Sequence, residues 1–192
     1  MKVVSVLGSP RENGNCATIA KHFCDTAEKL DAELKTFSLN KLEFRGCQGC
    51  MLCKTKLDRC AIQDDLTKVL DAIRESDILV VASPVYFWDV SGQLKCFIDR
   101  TFSFLVPDFL TNPKASRLPQ GKKLVFVLTQ GNPDEKMFAD IYPKFDYFFS
   151  RYGFDERHLI RACGVREPGE VEGRADVMQL AEDIAKKLCG VA

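Results

Sequence analysis

Apolar residues along the chain follow two alternating spacings. Short runs rich in β-branched and other apolar residues predict buried strands, and amphipathic stretches separate them. The predicted strands cover residues 2–7, 33–39, 77–82, 123–128 and 157–163. Strands that alternate with helices in this way are typical of a doubly wound parallel sheet with helices on both faces. The pattern therefore predicts an α/β fold.

The amphipathic stretches place apolar residues three or four positions apart, a spacing that buries one face of a helix. The second stretch begins after Asp64 and Asp65, whose carboxylates can cap free backbone amides. The predicted inward residues are Cys16, Ile19, Ala20, Phe23, Ala27 and Leu30; Leu66, Val69, Leu70 and Ile73; Leu94, Phe97, Ile98, Thr101, Phe102 and Leu105; Phe138, Ile141, Phe145, Phe148, Phe149 and Tyr152; and Val177, Leu180, Ala181, Ile184 and Leu188. Cys16 and Cys24 are accordingly predicted core residues.

Length and composition limit the possible functions. A chain of 192 residues with 46% hydrophobic content can bury one good core, so we predict a single domain over residues 1–192. Lys+Arg and Asp+Glu are 27 each, and this balance favours neither nucleic acid nor an anionic membrane as a partner. The apolar run at the N-terminus is too short for a signal peptide or a membrane span, so a cytoplasmic location is expected.

Four of the nine cysteines lie close together, within residues 46–61, which we call the cysteine loop. Cys47, Cys50, Cys53 and Cys60 follow the spacing C-x2-C-x2-C-x6-C, which is typical of ligands to an iron-sulfur cluster. A zinc site more often has two separated C-x2-C pairs, and a disulfide framework is unusual in a reducing compartment. Zinc and disulfides stay open as alternatives.

The loop after the first predicted strand, residues 8–18, has the composition of a phosphate site. In a doubly wound sheet, ligands bind beyond the carboxyl ends of the strands. Ser9, Arg11, Asn13 and Asn15 precede a predicted helix, whose first N–H groups are free to bind an anion. The loop matches neither G-x-G-x-x-G nor G-x-x-x-x-G-K-S/T, so dinucleotide and triphosphate sites are disfavoured.

Two further loops follow the third and fourth predicted strands. Residues 83–92 include Tyr86, Phe87 and Trp88, and three adjacent aromatic side chains cannot all enter the core. A flat ring could pack against them. Residues 129–133 contribute a hydroxyl group, amides and backbone donors that suit the polar edge of a flavin ring.

Three ordered motifs resemble the NADPH-dependent FMN reductase superfamily, and within it the iron-sulfur flavoproteins. They are GSPRENGN after the first strand, the cysteine run followed by Asp64-Asp65-Leu66, and SPVYFWDVSGQLKCFIDR. The resemblance covers almost the whole chain. It implies a flavodoxin-like fold, a five-stranded parallel sheet of strand order 2-1-3-4-5, noncovalently bound FMN, and a [4Fe-4S] cluster on Cys47, Cys50, Cys53 and Cys60.

The resemblance also implies which residues bind FMN. The expected set is Ser9, Arg11, Asn13, Gly14, Asn15, Cys16 and Thr18 around the phosphate, Pro84, Val85, Tyr86, Phe87 and Trp88 around the flavin, and Thr129, Gln130 and Gly131 at its polar edge. Cys16 stands where a threonine or serine is usual, which removes a strong phosphate donor. The segment before Cys60 also lacks an expected glycine.

Three functions remain open from the sequence. The first is a redox enzyme in which FMN and a cluster pass electrons between a donor, ferredoxin or NAD(P)H, and an acceptor. The second is an FMN-dependent NAD(P)H oxidoreductase acting on quinones or free flavin, with structural or zinc-bound cysteines. The third is a flavodoxin-type carrier, which the neutral net charge disfavours. In each the flavin carries the chemistry, so no catalytic side chain is predicted.

Residues 103–120 interrupt the helical pattern with three prolines and predict an inserted excursion. Its apolar residues exceed what a lone surface loop should expose; they are Phe104, Leu105, Val106, Phe109 and Leu110. Together with Phe87 and Trp88, they predict a subunit interface. We therefore expect a homodimer or homotetramer with flavin sites near subunit boundaries. The alternative is a monomer whose excursion folds back on its own core.

Overall fold

In the computed structural model, residues 1–190 are described; residues 191 and 192, the last two of the predicted domain, lie outside this range. The strands are β1 (Lys2–Leu7), β2 (Glu33–Ser38), β3 (Ile78–Tyr86), β4 (Asp89–Val90), β5 (Lys122–Gln130) and β6 (Phe154–Cys163). Their order is β2-β1-β3-β5-β6, and these neighbours are all parallel. The short β4 pairs antiparallel with the end of β3. Without β4, the order is 2-1-3-4-5, so the predicted flavodoxin-like fold is confirmed.

Helices cover both faces of the sheet. They are α1 (Asn15–Glu28), α2 (Leu52–Thr55), α3 (Leu66–Glu75), α4 (Gly92–Arg100), α5 (Ile141–Ser150) and α6 (Ala175–Cys189). Apolar residues of α1 and α6 form one core, and those of α3, α4 and α5 form the other. Because β3 is buried between the two cores, it begins with a continuous apolar run, Ile-Leu-Val-Val-Ala. Cys16 and Cys24 are buried, as predicted.

The element boundaries differ from the predicted ones in places. β3 continues to Tyr86, four residues past its predicted end, and β6 begins three residues earlier than predicted. Leu30 and Leu180, predicted to face inward, are 37% and 42% exposed. Leu30 lies in the turn beyond the end of α1, so it no longer shares the buried face of that helix.

The excursion folds back on the core. Phe104 and Leu105 are 1% and 5% exposed, so the prediction that they add to the exposed apolar surface is wrong, whereas the inward position that the helical spacing predicted for Leu105 is confirmed. The reason is a local antiparallel pairing: the N–H of Arg117 donates to the Phe104 carbonyl at 2.7 Å, and Val106 donates to Ala115 at 2.9 Å. Leu110 stays 82% exposed. Across residues 1–190, every helix is too short or too polar to pass through a lipid bilayer.

Candidate functional site

A cavity of about 200 Å³ opens at the carboxyl ends of β1, β3 and β5. It is lined by Ser9, Arg11, Gly14, Asn15, Cys16, Pro84, Val85, Tyr86, Thr129, Gly131, Val165 and Arg166. All but the last two belong to the predicted FMN-binding set. Five other members of that set, Asn13, Thr18, Phe87, Trp88 and Gln130, do not line the cavity. Their role in cofactor binding stays a prediction, as does that of the lining residues.

The first loop borders this cavity and is closed by hydrogen bonds of its own. The Ser9 hydroxyl accepts the N–H of Arg11 at 3.0 Å, and the N–H of Gly14 donates to the Arg11 carbonyl at 3.1 Å. A Cβ atom on Gly14 would lie 2.7 Å from the Ser9 hydroxyl, so an alanine here would displace this hydroxyl. The helix α1 then begins, with no acidic residue in its first turn. Its first N–H groups lack intrahelical partners and suit a phosphate.

The side chain of Asn15 is already engaged. Its Nδ2 donates to the Glu167 carbonyl at 2.9 Å, and its Oδ1 accepts the N–H of Val171 at 3.2 Å. These bonds join α1 to the segment after β6. Asn15 is therefore left with its backbone N–H, rather than its side chain, for an anion in the cavity.

Cys16 is a neutral thiol in this structure. Its side chain is buried, and burial raises the pKa of the thiol to about 12, although hydrogen bonding with Thr129 and Ser9 opposes the rise. At neutral pH the sulfur keeps its proton. It can offer only a weak S–H donor to the cavity.

Phe87 and Trp88 project away from the cavity. They form the two-residue connection between β3 and β4, and both have left-handed backbones, with φ of 42° and 69°. Such hairpin connections favour glycine and asparagine, so two aromatic residues here are locally unfavourable. Phe87 is 95% and Trp88 65% exposed. Trp88 packs edge-on against Phe138, with ring centroids 5.5 Å apart.

Ser91 ties the start of α4 to the first loop, a role that no sequence motif indicated. Its hydroxyl donates to the Gly8 carbonyl at 2.6 Å and accepts the N–H of Leu94 at 3.3 Å. Its own N–H donates to the Ser83 hydroxyl at 2.9 Å. The beginning of α4 is therefore fixed against both β1 and β3.

Arg166 binds the loop of residues 129–133, and it is a second residue that the sequence did not indicate. Arg166 Nε donates to the Gly131 carbonyl at 3.0 Å, and its own carbonyl accepts Arg11 Nη1 at 2.8 Å. Gln130 stabilises the turn that follows it, because its Nε2 donates to the carbonyls of Asn132 and Asp134. No motif surrounds Arg166, and only the fold brings it to the cavity.

The cysteine loop forms a second, smaller cavity of about 50 Å³. Cys47, Cys50, Cys53 and Cys60 all line it, together with Arg100 from α4. Gly49 and Met51 have left-handed backbones, which turn the chain between the first three cysteines. In the part of the chain that the structure describes, no three His, Cys, Asp or Glu side chains approach closely enough to hold a single metal ion.

Basic side chains surround the cysteine loop. The Lys54 ammonium, in a residue only 8% exposed, donates to the carbonyls of Phe102 and Leu105 at 2.6 and 2.7 Å, and burial lowers its pKa. Arg117 Nη2 donates to the Cys53 carbonyl at 3.0 Å. Arg100 pairs with Asp64 at 2.7 Å. Burial alone would raise the pKa of Asp64, but hydrogen bonds from Arg100 and the Arg45 N–H outweigh it and lower the pKa.

Comparison with known proteins shows what this chain is similar to. The sequence model of the family described as NADPH-dependent FMN reductase matches residues 1–141. Among solved structures, the chain is similar to an NAD(P)H:quinone oxidoreductase from Methanothermobacter marburgensis, with a TM-score of 0.76 and 16% identity, covering 100% of this chain and 98% of that one. At this identity the similarity concerns the fold.

Two curated relatives carry the name iron-sulfur flavoprotein. One, from Methanocaldococcus jannaschii, is 37% identical over 53% of this chain and 52% of its own length. The other, from Methanosarcina thermophila, is 28% identical over 100% of this chain and 95% of its own length. The chain therefore spans about half of the first relative and nearly all of the second.

Proposed function

The chain belongs to the NADPH-dependent FMN reductase family, and from this premise we propose that it is an FMN-dependent oxidoreductase with two redox centres. FMN and a [4Fe-4S] cluster would pass electrons between a reduced donor, ferredoxin or NAD(P)H, and a small-molecule acceptor. One observation carries the proposal: four cysteines at cluster spacing line one cavity. The names of the two relatives support it.

The donors that line the flavin cavity suit FMN. Ser9, Arg11 and the free N–H groups at the start of α1 would hold the phosphate. Pro84, Val85 and Tyr86 would border the ring, and Thr129 with Gly131 would meet its polar edge. FMN supplies the electron transfer when bound, and these residues orient it and exclude water.

The cysteine loop fits an iron-sulfur cluster in its donors and its charge. Thiolates are the ligands that such clusters take from proteins, and a cluster on four of them is net negative. Lys54 and Arg100, both at least nine-tenths buried, place positive charge beside the four sulfurs, with Asp64 as the paired acid. A buried anionic group requires such compensation.

Absorption spectra with iron and acid-labile sulfide analysis on anaerobically prepared protein test both cofactors. We expect FMN and iron with sulfide. Cys50→Ser should lose the broad visible absorption of the cluster and keep the flavin bands. Cys96→Ser is the matched control. Cys96 belongs to α4 and lies next to Gly46 of the cysteine loop, but it does not line the cysteine cavity. This variant should keep the absorption of both the cluster and the flavin. Stoichiometric zinc without sulfide would contradict the cluster, and reconstitution without bound flavin would contradict FMN.

We also propose that the chain forms a homodimer or homotetramer. A groove of about 330 Å³ lies between the excursion and α5, and its rim includes Leu110 and Tyr147, which are 82% and 70% exposed. Exposed apolar surface of this kind is typical of an interface. Light scattering at micromolar concentration should give a multiple of the 21.6 kDa chain, and Leu110→Glu should reduce it. A monodisperse monomer of the unaltered chain would refute the assembly.

A further inference from the structure

Arg100, the last residue of α4, uses its whole guanidinium group on the cysteine loop. Its side chain is fully buried, and the Nε donates to the sulfur of Cys60 at 3.0 Å. Nη1 donates to the Arg45 carbonyl and Nη2 to the Ile62 carbonyl, each at 2.9 Å. Arg45 precedes the cysteine loop by one residue and Ile62 follows it by one. One side chain therefore fixes both ends of the loop and its last sulfur.

Asp64 holds this cation in place. Its two carboxylate oxygens accept from Nη1 and Nη2 at 2.7 and 3.1 Å. The same carboxylate accepts the N–H of Leu66 at 3.1 Å, at the start of α3. A guanidinium has five N–H donors in a planar fork, and here they meet one carboxylate, two carbonyls and a sulfur. A lysine has no fork and could not make this set of contacts.

The other end of α4 is bound to the loop of residues 8–18. Ser91, immediately before the helix, donates to Gly8 of the phosphate loop, and Arg100 at its end donates to Cys60. The nine-residue helix α4 is thus bound at its start to the loop of residues 8–18 and at its end to the cysteine loop. Core packing alone does not account for an arginine at this position, because an apolar side chain could be buried there without the cost of desolvating a charge.

Hydrogen bonds to cluster sulfurs and nearby charge set the reduction potential of iron-sulfur centres. Adding one electron from the reduced donor makes such a cluster more negative, and an adjacent cation favours that form. We infer that Arg100 is a positioning residue that fixes Cys60 for cluster binding and raises the cluster's reduction potential, an inference that rests on the proposed function.

Two substitutions with opposite charge changes test the inference. Arg100→Gln removes the positive charge and keeps an amide donor near the position of Nε, whereas Asp64→Asn removes the negative charge and keeps an acceptor oxygen. At a fixed solution potential we expect Arg100→Gln to lower the ratio of reduced to oxidised cluster by at least tenfold, about 59 mV for one electron. Asp64→Asn should shift the midpoint the opposite way. Spectroelectrochemical titration measures both, and the flavin bands provide an internal reference.

Lys95→Gln is the matched control, because Lys95 is an exposed cation on the same helix and pairs with Asp99. The midpoint potential of the cluster should be unchanged in this variant. Unchanged midpoints in Arg100→Gln and Asp64→Asn, or shifts of the same sign in both, would overturn the inference. If Arg100→Gln retains FMN and loses iron and sulfide, that supports the positioning role, and Asp64→Asn then decides the effect of charge. Absence of iron and sulfide from the unaltered protein would instead refute the cluster itself.

Discussion

The flavin cavity and the cysteine loop are held by different parts of the chain. Around the flavin cavity, backbone groups at strand ends and a helix start bond to one another, as when Gly8 donates to the Ala82 carbonyl at 2.8 Å. The cysteine loop contains one four-residue helix. Arg117 and Arg74 donate to its backbone carbonyls, and Arg100 donates to the carbonyls on either side of it. The first site follows from sheet topology, whereas the second depends on a few buried cations.

The excursion, residues 103–120, also helps to hold the cysteine loop. Lys54 of the cysteine loop donates to Phe102 and to Leu105, and Arg117 of the excursion donates to the Cys53 carbonyl. Arg117 also donates to the carbonyls of Ser103 and Leu105 within its own segment. Leu105 and Arg117 of the excursion thus help to hold the cysteine loop. This difference predicts that single substitutions affect the cysteine loop more than the flavin cavity.

The largest expected effect is the loss of Asp64. Asp64→Ala leaves the Arg100 guanidinium buried without its counter-charge, and breaking a buried pair in this way costs about 3–5 kcal/mol of unfolding free energy. Asp25→Ala removes an exposed pair with Lys21 and should cost less than about 1 kcal/mol. Urea denaturation of cluster-free protein measures both. Equal losses of unfolding free energy would mean that the buried Arg100–Asp64 pair stabilises the chain no more than an exposed pair does.

The two regions also differ in how far the sequence predicted them. Strand positions and the core cysteines followed from spacing, because burial of apolar faces dictates periodicity. The strand order followed from the family resemblance. The cavity residues near Gly14 and Tyr86 followed from motifs next to strand ends. Arg166, Ser91 and Arg117 did not, since each reaches its site only through tertiary folding. The burial of Phe104 was missed for the same reason, because the pairing that covers it joins residues on either side of the excursion's turn.

A smaller effect is expected when the cysteine loop loses its contact with the excursion. Lys54→Met keeps an apolar stem of similar length and leaves the carbonyls of Phe102 and Leu105 without their donor. A buried acceptor left unpaired costs about 1–3 kcal/mol. Lys56→Met is the control, because Lys56 is exposed two residues away. Urea titration should show a loss for Lys54→Met alone, and a similar stability for both variants would argue against this supporting role of the excursion.

On the flavin side, Gly14→Ala tests whether backbone geometry alone forms the phosphate site. The added Cβ would lie 2.7 Å from the Ser9 hydroxyl, and relieving such a contact costs about 1–3 kcal/mol. We expect FMN affinity to fall about tenfold, which corresponds to about 1.4 kcal/mol. Gly173→Ala is the control, since no atom lies within 4 Å of its added Cβ. Fluorescence titration of FMN measures both, and equal affinities would show that the loop adapts.

The smallest expected effect concerns Cys16 and depends on pH. Burial raises the pKa of its thiol to about 12 in the folded chain, against about 8.5 for an unperturbed thiol. Below the unfolded value, both states are protonated and the thiol costs nothing. As pH rises above about 8.5, only the unfolded chain loses this proton, so stability falls progressively until the folded thiol also ionises. Serine does not titrate in this range, so Cys16→Ser should lose less stability than the unaltered chain between pH 8 and 11, as measured by urea titrations at each pH.

Cys16→Ser also restores a hydroxyl donor beside the phosphate site, so FMN should bind at least as tightly. An unchanged alkaline decline would show that other groups, such as the buried Cys24, dominate it.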